Sequence, residues 1–295
     1  MRLQARALIL NGAVASTILA GACGSSSPSA PGAANVEFRV MTFNIQHGLN
    51  GAGKYGLDAA VQTIAKVGPD LVGVQELTRN HPYYNCEDQP ARIADMLSQA
   101  TGRRWTSVYQ QEWFTPDRSC QDQGHGDGPE TEGIGFFAPE PLGPPSVTNL
   151  WNARLGVLTM LRRGRDIPIV VTHLASGTEG QSDRLRQLTA LVPWTMSQGG
   201  AGPRILIGDF NSSPGSPEYD QVMAQYRDAW ADAVSSGLAR GRMDGVTHKS
   251  SRIDYVFYVP ANVLELKSIE NISTAALIGS EASDHNPLVA TFAVK

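Results

Sequence analysis

The stretch that most constrains this chain covers residues 204–211, which read RILIGDFN. Its apolar residues 205–207 predict a short buried strand. Asp209 and Asn211 follow at alternate positions, and in extended backbone alternate side chains point the same way. We therefore expect a carboxylate and an amide side by side at the end of a rigid strand, where they can bind water, a metal ion or a phosphate. For this stretch alone, an ordinary strand-to-turn junction is an equal alternative, because Asp and Asn are common in turns.

Short apolar runs of this kind alternate with segments of helical spacing along most of the chain. Predicted strands cover residues 37–43, 70–76, 105–110, 131–137, 155–161, 167–171, 205–207, 252–257 and 288–294. Predicted helices cover residues 57–67, 89–100, 181–197 and 217–225, and Pro193 is expected to kink or end the third of them. Residues 112–132 and 237–251 are polar and predict loops. The pattern favours one α/β domain with sheet at its centre and helices outside.

Polar side chains stand at the ends of these strands or at their junctions with loops. They are Asn44, Glu76, Glu132, His173, Asp209, Asn211, Asp254, Asp284 and His285. Each alone also fits a structural role as a cap, turn residue or surface charge. Together, their carboxylate and amide oxygens suit a hard divalent cation, and two histidines can pair with spare carboxylates as acid–base dyads. The set predicts attack of water on a phosphate ester.

Seven short motifs carry a resemblance to a known family. In chain order they are MTFN ending at Asn44, VQE ending at Glu76, EG from Glu132, THL around His173, GDFN ending at Asn211, RIDY around Asp254 and SDHNP around His285. Each is weak alone, but their order over residues 41–287 resembles the endonuclease/exonuclease/phosphatase superfamily, which includes deoxyribonucleases and neutral sphingomyelinases. The resemblance implies a two-sheet β-sandwich flanked by helices, a four-layer α/β/β/α, deoxyribonuclease-like fold, with the active site at one end.

The resemblance also implies a divalent cation, Mg²⁺ or else Mn²⁺ or Ca²⁺, and the residues around it. Glu76 matches the main metal ligand, with Asn44 and Asp284 nearby. Asp209 and Asn211 match the pair that orients water and binds the phosphate.

Two histidines and an arginine complete the implied site. His285 matches the general base or transition-state stabiliser, oriented by Asp254, and we expect His285, rather than Asp209, to be the base. His173 matches a second histidine, which Glu132 would orient. Arg154 stands just before a strand and loosely matches an arginine that contacts the phosphate.

Residues 1–22 have the pattern of an export signal. Arg2 and Arg6 precede a largely apolar stretch, residues 7–20, that is short for a membrane span, and small residues follow it. Residues 19–23 resemble a bacterial lipobox, so we expect lipidation at Cys23 and a location in the bacterial cell envelope. Secretion with Cys23 left free is the alternative. The predicted division is a signal peptide (1–22), a flexible tether (23–36) and a catalytic domain (37–295).

The two other cysteines, Cys86 and Cys120, form an even pair in a chain expected to be exported. Such a pair predicts a disulfide, and two buried thiols are the alternative.

The charge balance bears on the substrate. The net charge is −4, and it becomes −6 when Arg2 and Arg6 are left out, whereas nucleic-acid binders usually carry a basic face. We expect a monomeric enzyme that hydrolyses a phosphodiester or a phosphomonoester, whose substrate is a lipid head group, a nucleic acid or a small phosphate, and that contacts the membrane through its lipid anchor. An exported nuclease acting on DNA or RNA and a catalytically inactive envelope binding protein are the alternatives.

Overall fold

The computed structural model describes residues 36–120, 129–178 and 180–295. The predicted signal peptide, Cys23 and all but the last residue of the predicted tether lie outside these ranges. So do residues 121–128, in the middle of the predicted polar loop. Within the described ranges the chain forms thirteen strands and six α-helices.

Each predicted strand and helix has a counterpart in the structure, which adds four strands and two α-helices, within the described ranges, that the sequence analysis did not predict. The strands are β1 Val36–Asn44, β2 Leu71–Arg79, β3 Thr106–Ser119, β4 Pro129–Ala138, β5 Ser146–Asn149, β6 Leu155–Arg162, β7 Asp166–His173, β8 Arg204–Asp209, β9 Arg227–Asp228, β10 Ala239–Gly241, β11 Asp254–Val259, β12 Leu264–Asn271 and β13 Leu288–Val294. The helices are α1 Asp58–Val67, α2 Gln89–Thr101, α3 Gln181–Ser197, α4 Pro217–Met223, α5 Ala229–Ser236 and α6 Thr274–Ile278.

The strands form two mixed sheets. One has seven strands in the order β10-β12-β13-β1-β2-β4-β3, and the other has six in the order β5-β6-β7-β8-β11-β9. In the first sheet β1 is parallel to β2 and antiparallel to β13. In the second, β8 is parallel to β7 and antiparallel to β11. Four of the predicted site residues stand at strand ends: Asn44, His173 and Asp209 are the last residues of β1, β7 and β8, and Asp254 is the first residue of β11.

Three hydrophobic clusters define the layers of the fold. The central cluster joins the two sheets, with Val40 and Phe136 from the first and Val171 and Ile207 from the second, all buried. A second cluster packs α1 and α2 against the seven-stranded sheet, and a third packs α3 and α4 against the six-stranded sheet. The implied four-layer α/β/β/α sandwich is therefore confirmed.

Three expectations about local structure are wrong. Residues 237–251, expected to form a loop, include strand β10 at Ala239–Gly241, which pairs with β12. Residues 112–132 are not a loop where the structure describes them, because β3 continues to Ser119 and pairs with β4 from Pro129. This pair lies at one edge of its sheet and has two irregularities of register, so its polar side chains gave no strand pattern. Helix α3 does not end at Pro193, which faces solvent while Val192 and Thr195 on either side are buried. The helix continues through Pro193, although proline has no N–H for the backbone hydrogen bond, because the face with Val192 and Thr195 is buried.

Cys86 and Cys120 form the predicted disulfide, which ties the segment after β2 to the end of β3. Among the residues described, none of the helices combines the length and the apolar character needed to cross a membrane.

Candidate active site

Strand register brings three predicted site residues together in the six-stranded sheet. His173 at the end of β7 is the partner of Asp209 on β8, and Asp209 is the partner of Asp254 on β11. Gly208 makes this approach possible. Its φ is +146°, and a Cβ there would lie 2.0 Å from the carbonyl oxygen of Thr172. Any side chain at this position would push β8 away from β7 and separate the aspartate from the histidine.

Asn211 reaches the site by a different geometry from the one expected. β8 ends at Asp209, and Asn211 has a left-handed φ of +49°, so the two side chains do not alternate along an extended strand. Instead the backbone N–H of Asn211 donates to Asp209 Oδ1 at 2.8 Å, as in an Asx turn. The Asn211 side chain donates to the carbonyl of Leu174 at 3.0 Å, which fixes it beside the end of β7.

The seven-stranded sheet contributes Asn44, the last residue of β1, and Glu76 on the neighbouring strand β2. Glu76 is not at the end of β2, as the sequence predicted. It lies in a bulge with a φ of +59°, and the strand continues to Arg79. Bulges re-aim side chains next to functional sites. The amide Nδ2 of Asn44 donates to Glu76 Oε1 at 2.9 Å and to Asp209 Oδ2 at 3.2 Å, so it joins the acids of both sheets.

His285 is held as a dyad with Asp254. Its Nδ1 lies 2.9 Å from Asp254 Oδ2, and both residues are buried. Ser283 fixes the backbone of this segment, because its hydroxyl accepts from the N–H of His285 and donates to the carbonyl of Asn44. Burial lowers the pKa of His285, but the carboxylates of Asp254, Asp209 and Asp284 outweigh burial and raise the pKa to about 10. The ring therefore carries a positive charge at neutral pH.

His173 has the opposite environment. Burial, with the guanidinium of Arg154, keeps the pKa of His173 well below its usual value. Arg154 Nη1 lies 3.1 Å from His173 Nδ1, so Nδ1 accepts and the proton of the neutral ring is on Nε2. The side chain of Glu112 is fully buried, and its Oε2 lies 3.0 Å from Nη1 of Arg154. The expectation that Glu132 orients His173 is wrong, since Arg154, and not Glu132, contacts the Nδ1 atom of His173.

Glu132 faces a histidine that sequence reasoning missed. His47 has its Nε2 3.2 Å from Glu76 Oε2 and its Nδ1 3.8 Å from Glu132 Oε2. Burial and the nearby Glu76 raise the pKa of Glu132 to about 9. His47 lies three residues after Asn44 in a short turn with a φ of +55°, and its sequence neighbours gave no signal beyond a loop.

A second missed residue is His248. Its ring stacks on His285 with centroids 4.4 Å apart and planes 17° apart, and its Nε2 lies 3.3 Å from Asp284 Oδ2. The backbone bridges His248 to His285, and the N–H of Asn286 donates to the carbonyl of Thr247. His248 belongs to the polar stretch 237–251, where no strand end marked it.

Asp209 is the point on which the site converges. Its Oδ2 lies 3.2 Å from Asn44 Nδ2, 3.6 Å from His173 Nε2 and 3.8 Å from His285 Nε2. Asp209 is 1% exposed, and burial together with Asp254 raises its pKa. The buried carboxylate can exchange a proton with water, while the amide and the two imidazoles around it can donate hydrogen bonds to a tetrahedral anion.

Several acids here could hold a metal ion. Asp209, Asp254 and His285 bring one ligand atom each within 4.8 Å of one another, and so do His248, Asp284 and His285. Glu76 is 20% exposed at its side chain and is bonded to Asn44. The repulsion between Glu76 and Glu132, which contributes to the raised pKa of Glu132, marks excess negative charge that a divalent cation would balance. The oxygen-rich donor set fits a hard cation.

Comparison with known proteins gives one family and many similar structures. The sequence model described as "Endonuclease/Exonuclease/phosphatase family" matches residues 41–285. No curated protein matches the chain in sequence. An endonuclease/exonuclease/phosphatase from Beutenbergia cavernae DSM 12333 is 20% identical, with 88% of this chain and 72% of that chain covered and a TM-score of 0.68.

Two further structures have the same fold. The human Nocturnin catalytic domain with bound sulfate anion is 21% identical, covering 88% of this chain and 95% of that chain with a TM-score of 0.63. A family protein from Leptotrichia buccalis C-1013-b is 19% identical, covering 86% and 98% respectively, with a TM-score of 0.64.

Proposed function

Because the chain belongs to the endonuclease/exonuclease/phosphatase family, we propose that it hydrolyses a phosphodiester, or else a phosphomonoester, by in-line attack of water. Membership in the family supports a metal-dependent phosphoesterase or nuclease-type activity. The observation that carries the proposal is the convergence of His173, His285 and Asn44 on one oxygen of Asp209. The ring of His285 is already protonated, so the ionised carboxylate of Asp209 accepts the proton of the attacking water, and His285 Nε2, 3.8 Å from Asp209 Oδ2, serves as the charged member of this acid–base pair.

Asp254 keeps His285 in place. Its carboxylate accepts from Nδ1, so the Nε2 atom faces Asp209 and the reacting water in every protonation state of the ring. His173 acts differently, because Arg154 leaves the proton on its Nε2. That N–H is available to donate to an oxygen of the phosphoryl group. Asn211 would orient the phosphate from the turn after β8.

Glu76, Asn44 and Asp284 would hold the divalent cation. Their oxygen atoms suit Mg²⁺, and Mn²⁺ or Ca²⁺ after it. The cation, when bound, supplies positive charge for a phosphate oxygen. For Asn44, binding requires that its amide turns, because Nδ2 now faces Glu76 and its Oδ1 accepts from the N–H of Gln46.

The test is hydrolysis of bis-p-nitrophenyl phosphate by the purified protein with Mg²⁺, Mn²⁺, Ca²⁺ or a chelator. We expect turnover that needs a divalent cation and falls by about two to four orders of magnitude in Asp209→Asn. The control is Asp220→Asn, an exposed aspartate on α4. Equal turnover in chelator and in Asp209→Asn would end the proposal.

We also propose export to the cell envelope with lipidation at Cys23. The disulfide between Cys86 and Cys120 supports an oxidising compartment. Labelling cells with a radioactive fatty acid tests the proposal, because label should enter the wild-type protein and not Cys23→Ala. Equal labelling of both would contradict lipidation at this residue.

A further inference from the structure

The two carboxylate oxygens of Glu76 face different partners. Oε1 accepts from the amide of Asn44 at 2.9 Å, and Oε2 lies 3.2 Å from Nε2 of His47. When Asn44 turns its amide to offer an oxygen to a cation, the bond to Oε1 is lost. The contact with His47 does not depend on that turn, so it still holds Glu76. Such support matters because Glu76 lies in a bulge, where the ladder between β2 and β4 is interrupted.

The backbone of His47 is fixed separately from its ring. It has a left-handed φ of +55° in the turn after β1, and its carbonyl accepts from Gln89 Nε2 at 2.7 Å. The Oε1 atom of the same glutamine accepts from the N–H of Thr78 at 2.9 Å. Gln89 is fully buried, and it therefore connects the turn of His47 to β2 two residues beyond Glu76.

The ring of His47 is fixed by an aromatic stack. Tyr84 lies on it with centroids 5.4 Å apart and planes 14° apart. The same tyrosine ring lies 5.4 Å from the ring of Tyr55 and 4.1 Å from that of His81, so four rings pack together. Ring pairs have preferred geometries, and this packing restricts rotation of the imidazole. Nε2 of His47 is thereby kept against Glu76.

The disulfide anchors the stack. Cys86 follows Tyr84 by two residues, and its bond to Cys120 ties this segment to the end of β3. The N–H groups of Tyr84 and Cys86 both donate to the carbonyl of His81, and Asn85 between them has a left-handed φ of +55°. The turn is tight, so a displacement of Cys86 also displaces the ring of Tyr84.

We propose that His47 is a positioning residue for the cation ligand Glu76, and that the disulfide acts on the cation site through Tyr84. The inference rests on the proposed function for the assignment of the cation to Glu76. It adds to that function the contacts that set how tightly the cation binds. Carboxylates that hold metal ions are themselves held by neighbouring groups, and losing one such neighbour typically weakens metal binding about 10- to 100-fold.

The test is titration of the purified, disulfide-bonded protein with Mn²⁺ alone, followed by the electron paramagnetic resonance signal of the free ion. It measures affinity for the cation and does not depend on turnover. His47→Phe keeps a ring against Tyr84 and loses the nitrogen that faces Glu76, so Mn²⁺ should bind about 10- to 100-fold more weakly. His47→Gln keeps a polar nitrogen at a similar reach and should lose clearly less. Urea unfolding should show that both variants are folded.

A cycle of variants tests the link to the disulfide. Cys86→Ser with Cys120→Ser should weaken Mn²⁺ binding about three- to tenfold, and should add little to the loss in His47→Phe, because both changes act on one contact. Tyr84→Leu breaks the same link with the disulfide intact and should match the effect of the cysteine pair. Tyr219→Leu removes a half-buried tyrosine on α4 and, as the matched control, should leave the affinity unchanged.

Three results would overturn the inference: unchanged affinity in His47→Phe or Tyr84→Leu, an equal loss in His47→Gln and His47→Phe, or an undiminished cysteine effect in the His47→Phe background. Glu76→Gln should lose the Mn²⁺ binding altogether. Binding that survived this change would place the cation elsewhere, against both the proposed cation site and this inference. Normal Mn²⁺ binding with no turnover would count against the proposed reaction only.

Discussion

The two histidines at the centre of the site, His173 and His285, each lie at a junction between a strand and a loop, but the partners of their Nδ1 atoms have opposite charges. His285 has a carboxylate on Nδ1, and its pKa rises to about 10. His173 has the guanidinium of Arg154 on Nδ1, and burial with that charge lowers its pKa well below the usual value. Both Nε2 atoms face Asp209. One ring is therefore a cation in the resting protein, and the other is a neutral hydrogen-bond donor.

The difference shows that the partner on Nδ1 decides what the Nε2 atom can do. A carboxylate on Nδ1 stabilises the ring after it gains a proton, which suits an exchange of protons with water. A guanidinium on Nδ1 prevents that gain and fixes the tautomer. The same residue type can thus supply two different functions to one phosphate within a few ångströms.

The largest expected effect comes from changing the partner of His285. Asp254→Asn removes the carboxylate that most raises the pKa of His285, and the new amide can donate to Nδ1, so the ring loses stabilisation of its charge and its fixed tautomer. We expect turnover of bis-p-nitrophenyl phosphate to fall by about two to four orders of magnitude. His285→Ala should cause a similar loss, and the double variant should lose little more, because the two residues act as a unit.

The control for this experiment is thermal unfolding with circular dichroism, which should show folded variants. Near-normal turnover in folded Asp254→Asn would mean that His285 does not need the carboxylate. The partner on Nδ1 would then not decide what each of the two rings can do.

Changing the partner of His173 should have the next largest effect. Arg154→Met keeps a long side chain and removes the charge, so we expect the pKa of His173 to rise towards its ordinary value and turnover to fall about 10- to 100-fold. Buried Glu112 would lose its cationic partner and keep only the bond from the N–H of Leu155, at a cost of about 3–5 kcal/mol in the free energy of unfolding. Proton NMR titration of His173 and urea unfolding measure the two effects.

Arg154→Met with Glu112→Gln separates these effects. The double variant removes the unpaired charge and should regain most of the stability of the wild type, without regaining its turnover. If turnover returned together with stability, Arg154 would serve the fold and not the tautomer of His173.

A smaller effect is expected in the dependence of stability on pH. In a chelator, the folded protein holds protons on Glu132, with a pKa of about 9, and on His285, with a pKa of about 10. The unfolded chain has lost both protons above about pH 7. Because the folded state then binds more protons, stability should fall as the pH rises from about 7 to about 9. His173 is neutral in both states there and adds nothing.

The melting temperature should therefore fall by several degrees over this range. Glu132→Gln should reduce the slope, and Mg²⁺ should stabilise the protein more at the upper pH than at the lower, since the cation balances the same negative charge. A melting temperature that rises with pH in the chelator would show that the folded state does not retain these protons.

How far the sequence predicts this site depends on the kind of contact. Alternation of apolar and polar residues located the ends of strands, and register in the sheet then brings His173, Asp209 and Asp254 side by side. The conformation of Glu76 was not predictable, because it depends on a bulge that forms only when β2 pairs with β4. The strand propensity of the individual residues does not indicate that β2 pairs with β4.

The partners of the histidines were less predictable still. Glu112 is 42 residues before Arg154 and belongs to an edge strand whose polar sequence favoured a loop. Its burial depends on the packing of that strand against the start of β6, where Glu112 accepts from the N–H of Leu155. His248 likewise approaches His285 only through a bridge between two loops. Such choices of partner are made by tertiary structure alone.

His248 provides the smallest and most discriminating prediction. Its ring covers one face of His285, and its Nε2 bonds Asp284, while no aromatic ring of the described residues stacks on His173. The stack should be worth about two- to tenfold in turnover, from the usual strength of aromatic pairs.

His248→Phe keeps a flat ring and loses the bond, whereas His248→Gln keeps a hydrogen-bond donor and loses the stack. If the stack holds His285 in place, Phe should retain turnover and Gln should lose it. If the bond holds Asp284 for the cation, Gln should retain turnover, and Phe should need a higher Mg²⁺ concentration for half-maximal rate. Full activity in His248→Ala at every Mg²⁺ concentration would show that Asp254 alone is enough to orient His285, and that the two histidines differ only in what touches Nδ1.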